Sequence, residues 1–214
     1  TQLLSSRDPK EVMDFGDNFK NTLRSLELSP KPIAAAINGT ALGGGFEICL
    51  ACNYRVAADN PKTLIGLPEV KLGLLPGAGG TQRLPRLIGI RNALPLLLEG
   101  THLSPEKALK QGLIHAIVSA DELMAAAKKW IVDGGDAVQP WDQKGFKVPG
   151  GGPQSPQGYE TFTAGGAMLR KKTWGNYPAP VAIMSCVYEG LNCAFDAGLS
   201  LESRHFASLA ADNV

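Results

Sequence analysis

The chain has 214 residues, 44% hydrophobic and 19% charged, with a formal net charge of +1. That is enough to bury one core with an extension, or two small ones. The balanced charge leaves no electrostatic footprint for nucleic acid or an anionic membrane, and no apolar run reaches bilayer length.

No signal peptide precedes the first predicted helix, and the missing initiator Met marks an expected piece of something longer. Asp8-Pro9 opens that helix, with Val12, Phe15, Phe19, Leu23 and Leu26 at helical spacing. Ser29-Pro-Lys-Pro32 ends it. Ile33–Ile37 is a short apolar run between breakers and reads as a buried strand. After the turn at Asn38-Gly39, a triple glycine (43–45) leads into a helix reaching about Asn53. Tyr54–Ala58 is the next strand, and Thr63–Ile65 a short extended piece.

Residues 69–81 are glycine-rich and irregular. Helices are expected from about Thr81 to Ile88 and from Gly89 to Leu98. Ser104-Pro105 starts another, stopped by Gly112. Leu113–Val118 returns as a strand. Asp121 is the expected cap of a helix carrying Leu123, Ala127, Trp130 and Ile131, which ends at Gly134-Gly135. Pro140 to Pro156, rich in Gly, Pro, Lys and Gln, reads as a surface connector. A helix over Tyr159–Trp174, a break at Tyr177–Pro180, a helix over Val181–Ala197 and a last one from near Ser200 complete the chain. Short strands alternating with helices give an α/β class.

Cys49 and Cys52 form a CxxC, but Cys186 and Cys193 lack the spacing of a second zinc knuckle. The pair reads as small apolar residues on a buried helix face, with reduced thiols and a cytoplasmic or organelle-matrix location. His102, His115 and His205 are scattered and read as structural. Arg83 and Arg86 follow the glycine loop, where they could meet a phosphate, but read rather as a solvated helix surface.

Two glycine-rich segments carry the chemistry. In NGTALGGGFE (38–47), glycines let a ligand approach the backbone, and the first N–H groups of a helix starting there lack internal partners. Such a terminus accepts an anion or a developing oxyanion. Tight helix–strand packing explains the glycines equally well. Neither a P-loop nor a dinucleotide fingerprint fits. Glu69 lies in GLPEVKLGLLPGAGGT (66–81). If Glu47 and Glu69 converge in an apolar pocket, they cannot both ionise easily, and one serves as acid while the other serves as base.

From Lys31 to Val118 the chain resembles the crotonase, or enoyl-CoA hydratase, superfamily. The carrying stretches are KPIAAAING (31–39), ALGGGFE (41–47), LPEVKLG (67–73), LPGAGGTQRLPR (75–86) and ALKQGLI (108–114). The resemblance implies a fold of ββα repeats, incomplete at the N-terminus, that binds acyl-CoA thioesters and hydrates trans-2-enoyl-CoA, with an enoyl-CoA isomerase or a non-catalytic acyl-CoA-binding or subunit-docking fragment as the alternatives. It implies Gly44 as one oxyanion donor, Glu47 as the group that activates water and Glu69 as the group that exchanges the α-proton. A second donor is expected upstream of Thr1.

NYPAP (176–180), CVYEG (186–190) and ESR (202–204) resemble the connector of the multifunctional α-subunit of the fatty-acid β-oxidation complex. This gives three expected parts: a partial hydratase core over 1–135, a Gly/Pro-rich connector over 136–180, and helices over 181–214 leading toward a 3-hydroxyacyl-CoA dehydrogenase. Hydration needs no cofactor or metal, and NAD belongs only to the dehydrogenase. The implied partners are an acyl-CoA thioester, a thiolase β-subunit and further copies of the chain. The implied location is the bacterial cytoplasm, ahead of the mitochondrial matrix.

Overall fold

The computed structural model describes residues 8–211. The polar opening stretch and the last helix's approach to Val214 lie outside the described residues.

Helix α1 (Pro9–Glu27) begins where Asp8 accepts a hydrogen bond from Lys10 N–H. Strands β1 (Ala34–Ile37) and β2 (Ala41–Leu42) lead into α2 (Gly44–Ala51), and β3 (Tyr54–Ala58) and β4 (Ile65–Gly66) lead through a 3₁₀ turn at Glu69–Leu72 into α3 (Gly80–Ile88). These are two successive ββα units. They stack in parallel register, β1 on β3 (Ala34 opposite Tyr54) and β2 on β4 (Ala41 opposite Ile65), and β5 (Ala116–Val118) extends the first sheet beside β3. The remaining helices are α4 (Ile90–Glu99), α5 (Pro105–Lys110), α6 (Leu123–Val132), α7 (Pro156–Thr173), α8 (Pro178–Leu191) and α9 (Phe195–Ala211).

The main core lies between β1, β2, α2, α3, α4 and α8. Phe46, Leu50, Leu97, Ile183 and Val187 are fully enclosed there. The C-terminal end of α2 is closed by Arg55, whose buried guanidinium donates to the carbonyls of Cys49 and Cys52. These are orphan acceptors of a helix end. The N-terminal end of the same helix is left for other use.

Several elements differ from their sequence-based outlines. On α1, Val12 and Leu23 are buried, but Phe15, Phe19 and Leu26 are exposed. The buried face instead takes Lys20 and Glu27, because charged partners wait there on α9 and α3. The fifth strand pairs only over Ala116–Val118, since the Leu113 carbonyl is taken by the Arg55 side chain. Asp121 does not cap α6. It sits inside a 3₁₀ turn (Ala120–Glu122) whose first residue follows Ser119.

The connector at 140–156 is pinned rather than loose. Trp141 is buried against Phe195, and Asp142 accepts two hydrogen bonds from Arg24. Tyr177–Pro180 starts α8 instead of breaking the chain, because Pro178 occupies the first helical position, where no N–H is needed. The expected 181–197 helix ends at Leu191. Residue 195, not Ser200, opens α9.

Candidate active site

Gly43 caps α2 with φ +57, a conformation open to glycine. Its N–H reaches Gly66 O and its carbonyl accepts from Phe46 and Glu47. Among the described residues, the N–H groups of Gly44 and Gly45 have no acceptor, as expected for a first helical turn. A Cβ on either glycine would meet nothing within 4 Å. The turn therefore presents two free donors and the positive end of a helix to open space.

Glu47 lies one turn inside α2 and is 2% exposed. Its Oε1 accepts hydrogen bonds from Ala78 N–H and Gly80 N–H, both at 2.7 Å. A side chain on Gly80 would come within 2.8 Å of that oxygen. The glycines of the 75–81 loop thus serve to bring backbone donors onto a carboxyl group. Burial pushes the Glu47 carboxyl well above its ordinary range, the nearby Glu202 and Glu69 add to this, and the two N–H donors oppose it.

Glu69 opens the 3₁₀ turn. Its Oε1 lies so close to Gly43 that a Cβ there would be 2.9 Å away. Its Oε2 is buried and, among the described residues, has no hydrogen-bond partner. A buried carboxyl oxygen without a partner is a costly arrangement. Burial, followed by the charge of Glu202, raises Glu69 to about 7. Tyr177 holds the turn at both ends. Its hydroxyl donates to Val70 O and accepts from Gly73 N–H at 3.0 Å.

The structure therefore gathers all three expected residues. Gly44, Glu47 and Glu69 surround the start of α2, with raised proton affinity on both carboxyls. It also supplies what sequence reading missed. Arg83 and Arg86 are buried, not solvated, and Arg83 makes a two-point ion pair with Glu27 at 2.7 and 2.9 Å. Glu202 binds the start of α3. A signal for Glu202 existed in its spacing, since Phe195, Leu199, Glu202, Phe206 and Leu209 form one helical stripe.

The scattered residues stay outside the site. Burial raises the Cys49 thiol to about 11, opposite to a reactive thiolate. His115 stacks on Tyr54 and accepts from Arg55 N–H.

The chain is similar to known proteins. Residues 2–134 match the profile of the enoyl-CoA hydratase/isomerase family. The chain is 43% identical over 205 residues to the fatty acid oxidation complex subunit alpha of Shewanella halifaxensis, covering 96% of this chain and 28% of that protein. It is 40% identical over 217 residues to the subunit of the same name from Shewanella frigidimarina, covering 98% of this chain and 29% of that protein. It thus spans under a third of these relatives' length. An enoyl-CoA hydratase structure from Bacillus anthracis aligns with a TM-score of 0.55 at 28% identity, over 92% of this chain and 61% of that one. One from Geobacillus kaustophilus aligns with a TM-score of 0.57 at 26% identity, over 96% and 63%. The stacked ββα units are a crotonase-like fold, and the chain belongs to the enoyl-CoA hydratase/isomerase family.

Proposed function

We propose that this site adds water across the double bond of a trans-2-enoyl-CoA thioester to give 3-hydroxyacyl-CoA. The observation that carries the reading is the pair of buried carboxyls with raised proton affinity beside the free N–H groups of α2. The thioester oxygen accepts from Gly44 N–H, where the helix terminus favours the charge of an enolate. Water attacks C3 and passes its proton to Glu47, while Glu69 delivers a proton to C2. The pair ends with the same number of protons it began with.

Burial raises the proton affinity of Glu47. A protonated Glu47 serves the reverse reaction, as acid to the leaving hydroxyl. Glu69, at about 7, gains or loses its proton near neutrality. A transfer between the two sets the hydration direction, and the pair titrates as a unit. The resemblance to oxidation-complex α-subunits supports fatty acyl chains as substrates and a multi-subunit assembly as the setting.

The test follows loss of the conjugated enoyl absorbance of crotonyl-CoA in the full-length native protein. Glu47→Gln and Glu69→Gln should each slow hydration by about 10²–10⁴-fold. Wild-type turnover in the double variant would sink the reading. A 3-enoyl-CoA substrate in the same assay separates hydration from double-bond isomerisation, the other activity in the family's name.

A further inference from the structure

A third carboxyl group reaches the acid–base pair from the far end of the chain. Glu202 on α9 is fully buried. Its Oε1 accepts from Gly79 N–H at 2.6 Å, and its Oε2 accepts from Thr81 N–H at 3.0 Å and Thr81 Oγ1–H at 2.5 Å. Glu47 takes the N–H groups of Ala78 and Gly80. The two glutamates therefore hold alternate amides of one turn from its two sides. Neither can shift without moving the other's donors.

Glu202 is itself anchored. Lys20 Nζ of α1 lies 3.7 Å from its Oε1, and the same ammonium donates to Leu199 O at 2.8 Å and to Ser203 Oγ. Ser203 in turn donates to Asp17. From α8, Cys186 faces this cluster, its thiol raised to about 12 by burial and then by Glu202. The charged and titratable groups around Glu47 are thus Glu69 from the 3₁₀ turn, Glu202 from α9 and, behind Glu202, Lys20 from α1.

We propose that Glu202 is a positioning residue for Glu47, fixing through the shared 78–81 turn where the Glu47 carboxyl sits and acting on it as a neighbouring negative charge. This supplies a role for α9, which lies outside the 2–134 stretch that matches the family. Only the kinetic arm of the test rests on the hydratase reading.

Glu202→Gln keeps the shape and removes the charge. In the full-length protein, kcat for crotonyl-CoA hydration should fall about 10–100-fold with KM little changed, as for a small displacement of a reacting group. The Glu47 titration, read from the protonated-carboxyl infrared band that Glu47→Gln abolishes, should move down by about one pH unit. The pH–rate profile should follow it, and Glu202→Asp should restore both. Should Glu202→Gln fail to fold, Lys20→Met/Glu202→Gln leaves no unpaired buried charge and should still lower the midpoint. An unmoved Glu47 midpoint in the folded variants overturns the proposal, even if wild-type hydration is fast. A moved midpoint in a protein that hydrates nothing overturns the hydratase reading instead and leaves the proposal standing.

Discussion

Glu69 puts the proposed acid–base pair in conflict with the stability of the fold. Its carboxyl group is held at about 7 in the native state, against 4.5 for an unperturbed group. Between those values the native state binds more protons than the unfolded chain, so stability falls as pH rises from 4.5 to about 7 and is flat above. Glu69→Gln removes the penalty. It should stabilise the protein at pH 8 by roughly 2–4 kcal/mol, from a shift worth about 1.4 kcal/mol per unit, and by little at pH 4.5. Denaturant midpoints at the two pH values check this; an equal gain at both would mean that the effect is not Glu69's charge. Gly44, Glu47 and Glu69 were all readable from glycine–glutamate spacing and family resemblance. The contact of Glu202 with the 78–81 turn was not, because its helical stripe marks a buried face but not the partner that face meets.

At the scale of elements, α3 is the organising piece. Eight of its nine residues are buried, including Thr81, Gln82, Arg83 and Arg86. Each finds a partner on another helix: Glu202 for Thr81, Cys186 O for Gln82, Glu27 for Arg83 and Gly190 O for Arg86. Gly190 and Gly198 let α8 and α9 close onto Gln82, since a Cβ at these positions would stand 2.1 and 2.6 Å from its Oε1. Arg83→Met should lower stability by about 3–5 kcal/mol in a thermal or urea melt, because it leaves Glu27 charged, buried and without its main partner. A loss below 1 kcal/mol would show that Arg24, 3.4 Å from Glu27, suffices. Strand and helix positions were largely legible, because apolar runs and Ser-Pro starts act locally. The solvated reading of Arg83 and Arg86 failed because the charges satisfying them lie far along the chain.

Across the described residues, α1 and α9 meet. Arg24 on α1 binds Asp196 on α9 and Asp142 in the pinned connector. Arg24, Arg83 and Arg86 all pack over the ring of Phe195, at 4.8, 5.6 and 5.1 Å. A chain cut after residue 134 keeps the family's matched segment but loses the partners of Thr81, Gln82 and Arg86. It should show no cooperative thermal transition by circular dichroism; a sharp transition near that of the intact chain would disprove the dependence. The class of fold was visible in the alternation of strands and helices, whereas this pairing of α1 with α9 was not, since side-chain pairing across such separations leaves no periodic trace. It also sets an order in time. Glu202 is made 121 positions after Thr81, which at about 5–20 residues per second is roughly 6–24 seconds of synthesis. During that interval the nascent chain already contains both glutamates of the pair but not the group that holds their turn from behind. The surroundings of the two carboxyls are completed only when α9 leaves the ribosome.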